Sequence, residues 1–108
     1  MEKKMWEAVK CHNEIFFGTY VQPDAIMISN SYRCRGEEYT MALPDIGLSQ
    51  FMIEQYETVL ASAERIQNYY YVNFMTGSVK GTRRCHATST WVRKGEGWRL
   101  IFHMHNTL

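Results

Sequence analysis

The chain lacks most of the features that betray a specialised role at first sight. Its 108 residues carry three cysteines, two prolines and almost balanced charge, twelve Lys and Arg against eleven Asp and Glu, for a net charge of +1. Cys11, Cys34 and Cys85 are far apart and form no C-x-x-C pair, which excludes a disulfide framework and a cysteine-rich zinc site and fits a reducing, cytoplasmic setting. The absence of a charge excess leaves no electrostatic footprint for nucleic acid or an anionic membrane. No apolar run is long enough for a signal peptide or a membrane span, since the opening amphipathic segment is interrupted by Glu7 and Lys10. Internal repeats and low-complexity tracts are missing too. What the chain does have is apolar and aromatic content: 45% of its residues are hydrophobic, among them five Phe, three Trp and seven Tyr, enough for the core of one domain.

Met5, Trp6 and Val9 recur at helical spacing, so a first amphipathic helix is expected over Glu2 to Cys11. Asn13 is an N-cap candidate for a second helix, Glu14 to Tyr20, ended by Pro23-Asp24. Ala25 to Ser29 and Tyr32 to Arg35 read as a hairpin turning at Asn30-Ser31. A third helix over Glu37 to Leu43 must stop at Pro44, which clashes with a continuing helical turn. Beyond Leu48 the composition becomes β-branched and aromatic, and four strands are predicted: Ser49 to Ala61, Arg65 to Thr76, Arg83 to Arg93 and Trp98 to Thr107. Short turns join them into an antiparallel meander. Helices first and a sheet second make the class α+β.

In the last hairpin the Lys94 to Gly97 loop pairs Arg93 with Trp98. Continued without a bulge, this register puts Cys85, Ala87, Ser89 and Trp91 on one face with Trp98, Leu100, Phe102 and Met104, and puts His86 opposite His105 on the other. The first face is expected to be the interior. The preceding strand is aromatic on both faces, with Tyr70 among its inward candidates, so the outer face should also be covered. With no helix left to cover it, a homodimer through that outer sheet face is the economical expectation.

Trp6-Glu7-Ala8, Asn13 after the first helix, Pro23-Asp24-Ala25-Ile26-Met27-Ile28, Gly36-Glu37-Glu38, Ser89-Thr90 running into Trp91, and Gly97-Trp98 occur in an order that resembles the SnoaL-like and nuclear transport factor 2-like superfamily over essentially the whole chain. The resemblance implies a cone, in which N-terminal helices pack in the concave face of a strongly curved, mainly antiparallel sheet, with a small-molecule pocket at its mouth. It extends to the association domain of calcium/calmodulin-dependent kinase. That domain carries histidines where this chain has Phe102 and Met104.

An uncharacterised domain binding a small hydrophobic ligand in a mostly apolar pocket is the leading functional expectation, with Trp6, Tyr70, Cys85, Ser89, Trp91, Phe102 and Met104 as pocket candidates. A protein assembly module is one alternative. The other is an isomerase, cyclase or dehydratase, which needs an inward acid or base. Glu54, His12 and Asp24 are the candidates, but a solvated strand edge, a helix junction and a turn cap are the plainer roles for them. Three imidazoles, His86, His103 and His105, could hold zinc. They are expected on the outer face, where they suit an interface better, and neither a metal nor a cofactor is assigned. Cys11-His12 and Cys85-His86 fail as ligand pairs; on a strand, as Cys85 and His86 are, adjacent side chains point oppositely. Lys80, Arg83 and Arg84 around Gly77 to Gly81 lack phosphate-loop spacing and read as a solvated basic turn.

Overall fold

A computed structural model describes residues 1–77 and 79–108. The expected basic turn falls in part on Ser78 and the Lys80 side chain, which lie outside the described residues.

Three helices precede most of the sheet: α1 (Glu2–Lys10), α2 (Glu14–Tyr20) and α3 (Gly36–Ala42), the last continued by a short 3-10 turn at Leu43–Asp45. Asn13 caps α2 as its side chain predicts, accepting the Phe16 N–H at 3.0 Å. Glu38 holds the start of α3 by accepting the Arg35 N–H at 2.9 Å. Gly36 lets α3 sit on the first strand, because a Cβ there would lie 2.2 Å from the Gln22 carbonyl oxygen.

Six strands, β1 (Val21–Ser29), β2 (Tyr32–Arg35), β3 (Leu48–Ala61), β4 (Arg65–Thr76), β5 (Val79–Lys94) and β6 (Gly97–Thr107), form one sheet in the order β2-β1-β6-β5-β4-β3. The meander is antiparallel, and β1 closes onto β6 in parallel. β1 therefore begins earlier than its turn-like Pro23-Asp24 suggests. Proline is tolerated because its stretch lies where the pairing with β6 shifts register and β2 has not yet begun.

Register shifts bend the sheet. In β3 one lies between Glu54 and Glu57, with Gln55 at φ 52°, and turns Tyr56 and Thr58 towards the concave side, where Tyr56 stacks on Tyr70 at 5.9 Å. In β6 another falls at Ile101: Trp91 pairs with Leu100 but Thr90 pairs with Phe102. The concave surface buries Tyr70, Val72, Cys85, Ala87, Ser89, Trp91 and Leu100, and α1 lies in it through Met5, Trp6, Ala8 and Val9. No helix among the described residues is long and apolar enough to cross a membrane.

Candidate functional site

The bulge at Ile101 reverses the expected facing of everything after it. Ser89 pairs with His103 and Ala87 with His105, so both histidines enter the cone, while Phe102 and Met104 turn to the convex face beside Ile26 and Ile28. Convex His86 pairs with Asn106, not His105, and so stands apart from the other two. The bulge-free register failed because it assigned the apolar side chains to the interior. Hydrogen bonding inside the cone compensates for the buried imidazoles instead.

A polar line runs through this interior, beginning at Glu2. Its carboxylate is buried rather than presented to the solvated first turn of α1. One oxygen accepts the Tyr70 hydroxyl at 2.9 Å, and the other accepts Asn68 Nδ2 at 3.1 Å and Trp91 Nε1. A buried donor left without a partner costs about 1–3 kcal/mol, so this carboxylate locks α1 to β4 and β5. Trp6 Nε1 donates to the Tyr70 oxygen at 2.8 Å. Burial and the Glu2 charge push the Tyr70 phenol well above its ordinary value, opposed by the hydrogen bond from Trp6 to its oxygen.

Ser89 is 2.7 Å from His103 Nδ1; His103 Nε2 lies 3.1 Å from His105 Nδ1, and His105 Nε2 lies 2.9 Å from Ser29 Oγ. This second run of hydrogen bonds carries the polar groups of the interior from β5 to the end of β1. Burial, and then the neighbouring His105, drive the His103 pKa well below the usual imidazole value; burial lowers that of His105 to about 4. Both rings are neutral at physiological pH. Trp6 packs against them, its ring centre 6.0 Å from His103 and 5.4 Å from His105.

Deep in the cone, side chains leave almost no space, about 10 Å³ among Met5, Phe17, Met27 and His103. The mouth is open. There a cavity of about 530 Å³ lies between α1, α3, the 3-10 turn and the ends of β4, β5 and β6. Trp6, Tyr39 and Phe74 form apolar walls, Glu38, Asp45 and Arg83 bring charge, and Ser29 and His105 end the polar line at its surface. Burial, reinforced by Cys34, pushes the Tyr39 phenol up to about 12; burial, reinforced by Glu38, also raises the Cys34 thiol. Both stay protonated. A second hollow of about 540 Å³ lies at the Glu2 end, walled mainly by Phe51, Met52, Ile53 and Tyr56.

Of the residues singled out in the sequence, Trp6 lines the mouth. Tyr70, Cys85, Ser89 and Trp91 are inward but sealed in the core beneath it, and burial raises the Cys85 thiol. Phe102 and Met104 are on the opposite side of the sheet. The three candidate acids and bases are outside the cavity. His12 is exposed at the α1–α2 junction, 2.7 Å from the Ile46 carbonyl, and Asp24 is exposed on β1. Glu54 is convex, bonded to Asn73 and 3.5 Å from Arg84. Among the described residues, no group of three His, Cys, Asp or Glu side chains gathers as a metal site. Sequence reasoning missed Glu2, whose first-turn position has an ordinary dipole explanation, and Ser29, which sits in no nucleophile motif. The one available signal was Asn30 after Ser29, a residue that tolerates the left-handed turn found there at φ 56°.

Neither known protein families nor curated proteins show a match to the sequence. The fold does have close counterparts. A nuclear transport factor 2-like protein from Cytophaga hutchinsonii superposes with a TM-score of 0.88 at 13% identity, over 99% of this chain and 92% of the other. A nuclear transport factor 2-like protein of unknown function in nutrient uptake from Rhodospirillum rubrum gives 0.84 at 13% identity, over 99% and 94%. The calcium/calmodulin-dependent kinase II hub homology domain of Chlamydomonas reinhardtii gives 0.77 at 12% identity, over 99% and 92%. At such identity the likeness is one of fold: the chain has the nuclear transport factor 2-like, cystatin-like α+β cone.

Proposed function

We propose that this domain binds a small, flat, largely apolar molecule in the mouth of its cone and pairs with a second copy through the convex face. The observation carrying the binding reading is the contrast between a filled deep cone and a cavity of about 530 Å³ at its mouth, within the size range of small-molecule sites. Trp6, Tyr39 and Phe74 suit an aromatic or alicyclic body, and the charged and hydroxyl groups at the rim suit one polar end. The hydrophobic character expected of the ligand is therefore kept, with a polar handle added.

A dye test separates this cavity from the rest of the surface. Ala42 lines the mouth from the exposed side of α3, so Ala42→Trp should plug the cavity without entering the core. Saturable binding of 8-anilinonaphthalene-1-sulfonate by the wild type should weaken at least tenfold in Ala42→Trp, with an unchanged melting temperature. Equal binding by the two proteins would place the dye elsewhere and remove the support for this site.

Support for pairing comes from the convex face. The bulge adds Phe102 and Met104 to Ile26 and Ile28 there, next to Thr88, Thr90, Tyr69 and Tyr71 on the neighbouring strands. Such a half-buried apolar strip suits a twofold partner. The structural counterpart named as a hub homology domain is in keeping with this reading.

A further inference from the structure

The line of polar groups ending in the cavity has the connectivity of a nucleophile, a base and an orienting group. Ser29 Oγ lies 2.9 Å from His105 Nε2, and the other nitrogen of that ring lies 3.1 Å from His103 Nε2. This is the constellation of an activated serine, recognised by mutual geometry and role rather than by sequence order. We propose that Ser29 is an acyl-accepting nucleophile, His105 its general base and His103 the positioning residue, making the cone mouth a site for cleavage of small carboxylic esters.

The base role assigns one direction of hydrogen bonding to the line. The Glu2 carboxylate accepts from the Tyr70 hydroxyl, whose oxygen in turn accepts from Trp6 Nε1 at 2.8 Å. In the tautomer proposed, Ser89 Oγ accepts from His103 Nδ1. His103 Nε2 then bears the lone pair and accepts from His105 Nδ1, whose Nε2 in turn accepts from the Ser29 hydroxyl. Every member has one consistent role, and the base points its lone pair at the serine. Lowered basicity at both rings keeps them neutral, as this arrangement requires.

Position supports the assignment as well. Ser29 and His105 line the cavity, whereas His103 and Ser89 are buried behind them. Ser29 is the last residue of β1, held by the left-handed turn at Asn30, whose N–H donates to the His105 carbonyl at 2.9 Å. The Asn30 amide is anchored by accepting the Thr107 N–H at 2.7 Å, which leaves its NH2 as a donor on the cavity wall together with Arg83.

In the step proposed, Ser29 Oγ attacks the ester carbonyl carbon while its proton passes to His105 Nε2. Asn30 and Arg83 supply N–H groups to the oxyanion. The carbon–oxygen bond to the alcohol then breaks, and the leaving alkoxide takes the proton from His105. Water attacks the acyl-Ser29 ester, giving its proton to His105 and then to Ser29 as the carboxylic acid leaves. No cofactor is consumed. Trp6, Tyr39 and Phe74 select an apolar acyl group, and in that respect the inference rests on the binding reading above.

The test uses a fluorophosphonate–biotin probe, which reacts covalently with activated serines. Peptide mapping should place the adduct on Ser29, with none in Ser29→Ala and a labelling rate at least 100-fold lower in His105→Gln. Labelling of the wild type should persist at pH 5, because His105 protonates only near pH 4. Folded wild type without an adduct on Ser29 overturns the proposal. So does equal labelling of a folded His105→Gln variant. Should that variant not fold, a wild-type rate that keeps rising tenfold per pH unit through pH 8–10 overturns it equally, since an unassisted serine behaves so. His103→Gln should slow labelling and shift its pH profile while leaving dye affinity unchanged. Dye binding that survives alongside absent labelling would sink the ester chemistry alone; loss of both would sink the cavity reading.

Discussion

His103 and His105 occupy the interior in their neutral forms, and that fixes the sign of a pH effect. An unfolded histidine titrates near 6.5, whereas burial lowers both native values, that of His105 to about 4. Below pH 6.5 the unfolded chain therefore binds more protons than the native one. The contribution of the pair is present in full above pH 6.5 and is lost as pH falls towards 4, with a slope of up to about 1.4 kcal/mol per pH unit for each ring. Urea denaturation at pH 7.5, 6.5, 5.5 and 5.0 should give a midpoint that is flat above 6.5 and falls below it, and His105→Gln should roughly halve that fall. A midpoint constant down to pH 5 would mean that the rings are already charged in the native protein. Glu2 shows a second buried polar group at the same scale: three donors converge on its carboxylate oxygens.

At the scale of elements, β6 decides what the cone contains. A one-residue offset exchanges the faces of a strand, and the bulge at Ile101 makes that exchange between Leu100 and Phe102. Parallel pairing to β1 fixes the result, since Met27 meets His103 and Ser29 meets His105. Deleting Ile101 should force either β5 or β1 out of register and remove the cooperative thermal transition seen by circular dichroism; a variant that melts as the wild type does would show that β6 can slide. These elements also mark the boundary of what was legible in the residues. Caps and breakers act locally, so Asn13, the Asn30 turn and Pro44 placed α2, the β1–β2 hairpin and the end of α3 close to where they lie. The bulge has no such local cause: neither Gly nor Pro stands at Ile101, and its energetic reason is the bonding of His103 and His105 to serines on the neighbouring strands β5 and β1. Simple patterning put Phe102 and Met104 inside for the same reason, because it weighs apolar character and cannot see a hydrogen-bonded line from Ser89 to Ser29.

For the whole molecule, the curved sheet has two useful surfaces with different chemistry. Its concave side ends in a cavity with polar groups; its convex side carries Ile26, Ile28, Phe102 and Met104. Sedimentation should give twice the chain mass at micromolar concentration and the single chain mass for Met104→Glu, whose side chain faces away from the core. A wild-type monomer under these conditions would contradict pairing through this face. The Glu2 lock has a further consequence, in time rather than in space. Its partners lie as far as 89 residues downstream, at Trp91. On a ribosome, α1 emerges before these partners and must wait, with an unpaired carboxylate, until β4 and β5 have left the exit tunnel. A helix made well before its partners is thus among the last elements to find its place, and a nascent chain arrested before β5 cannot seal its own core.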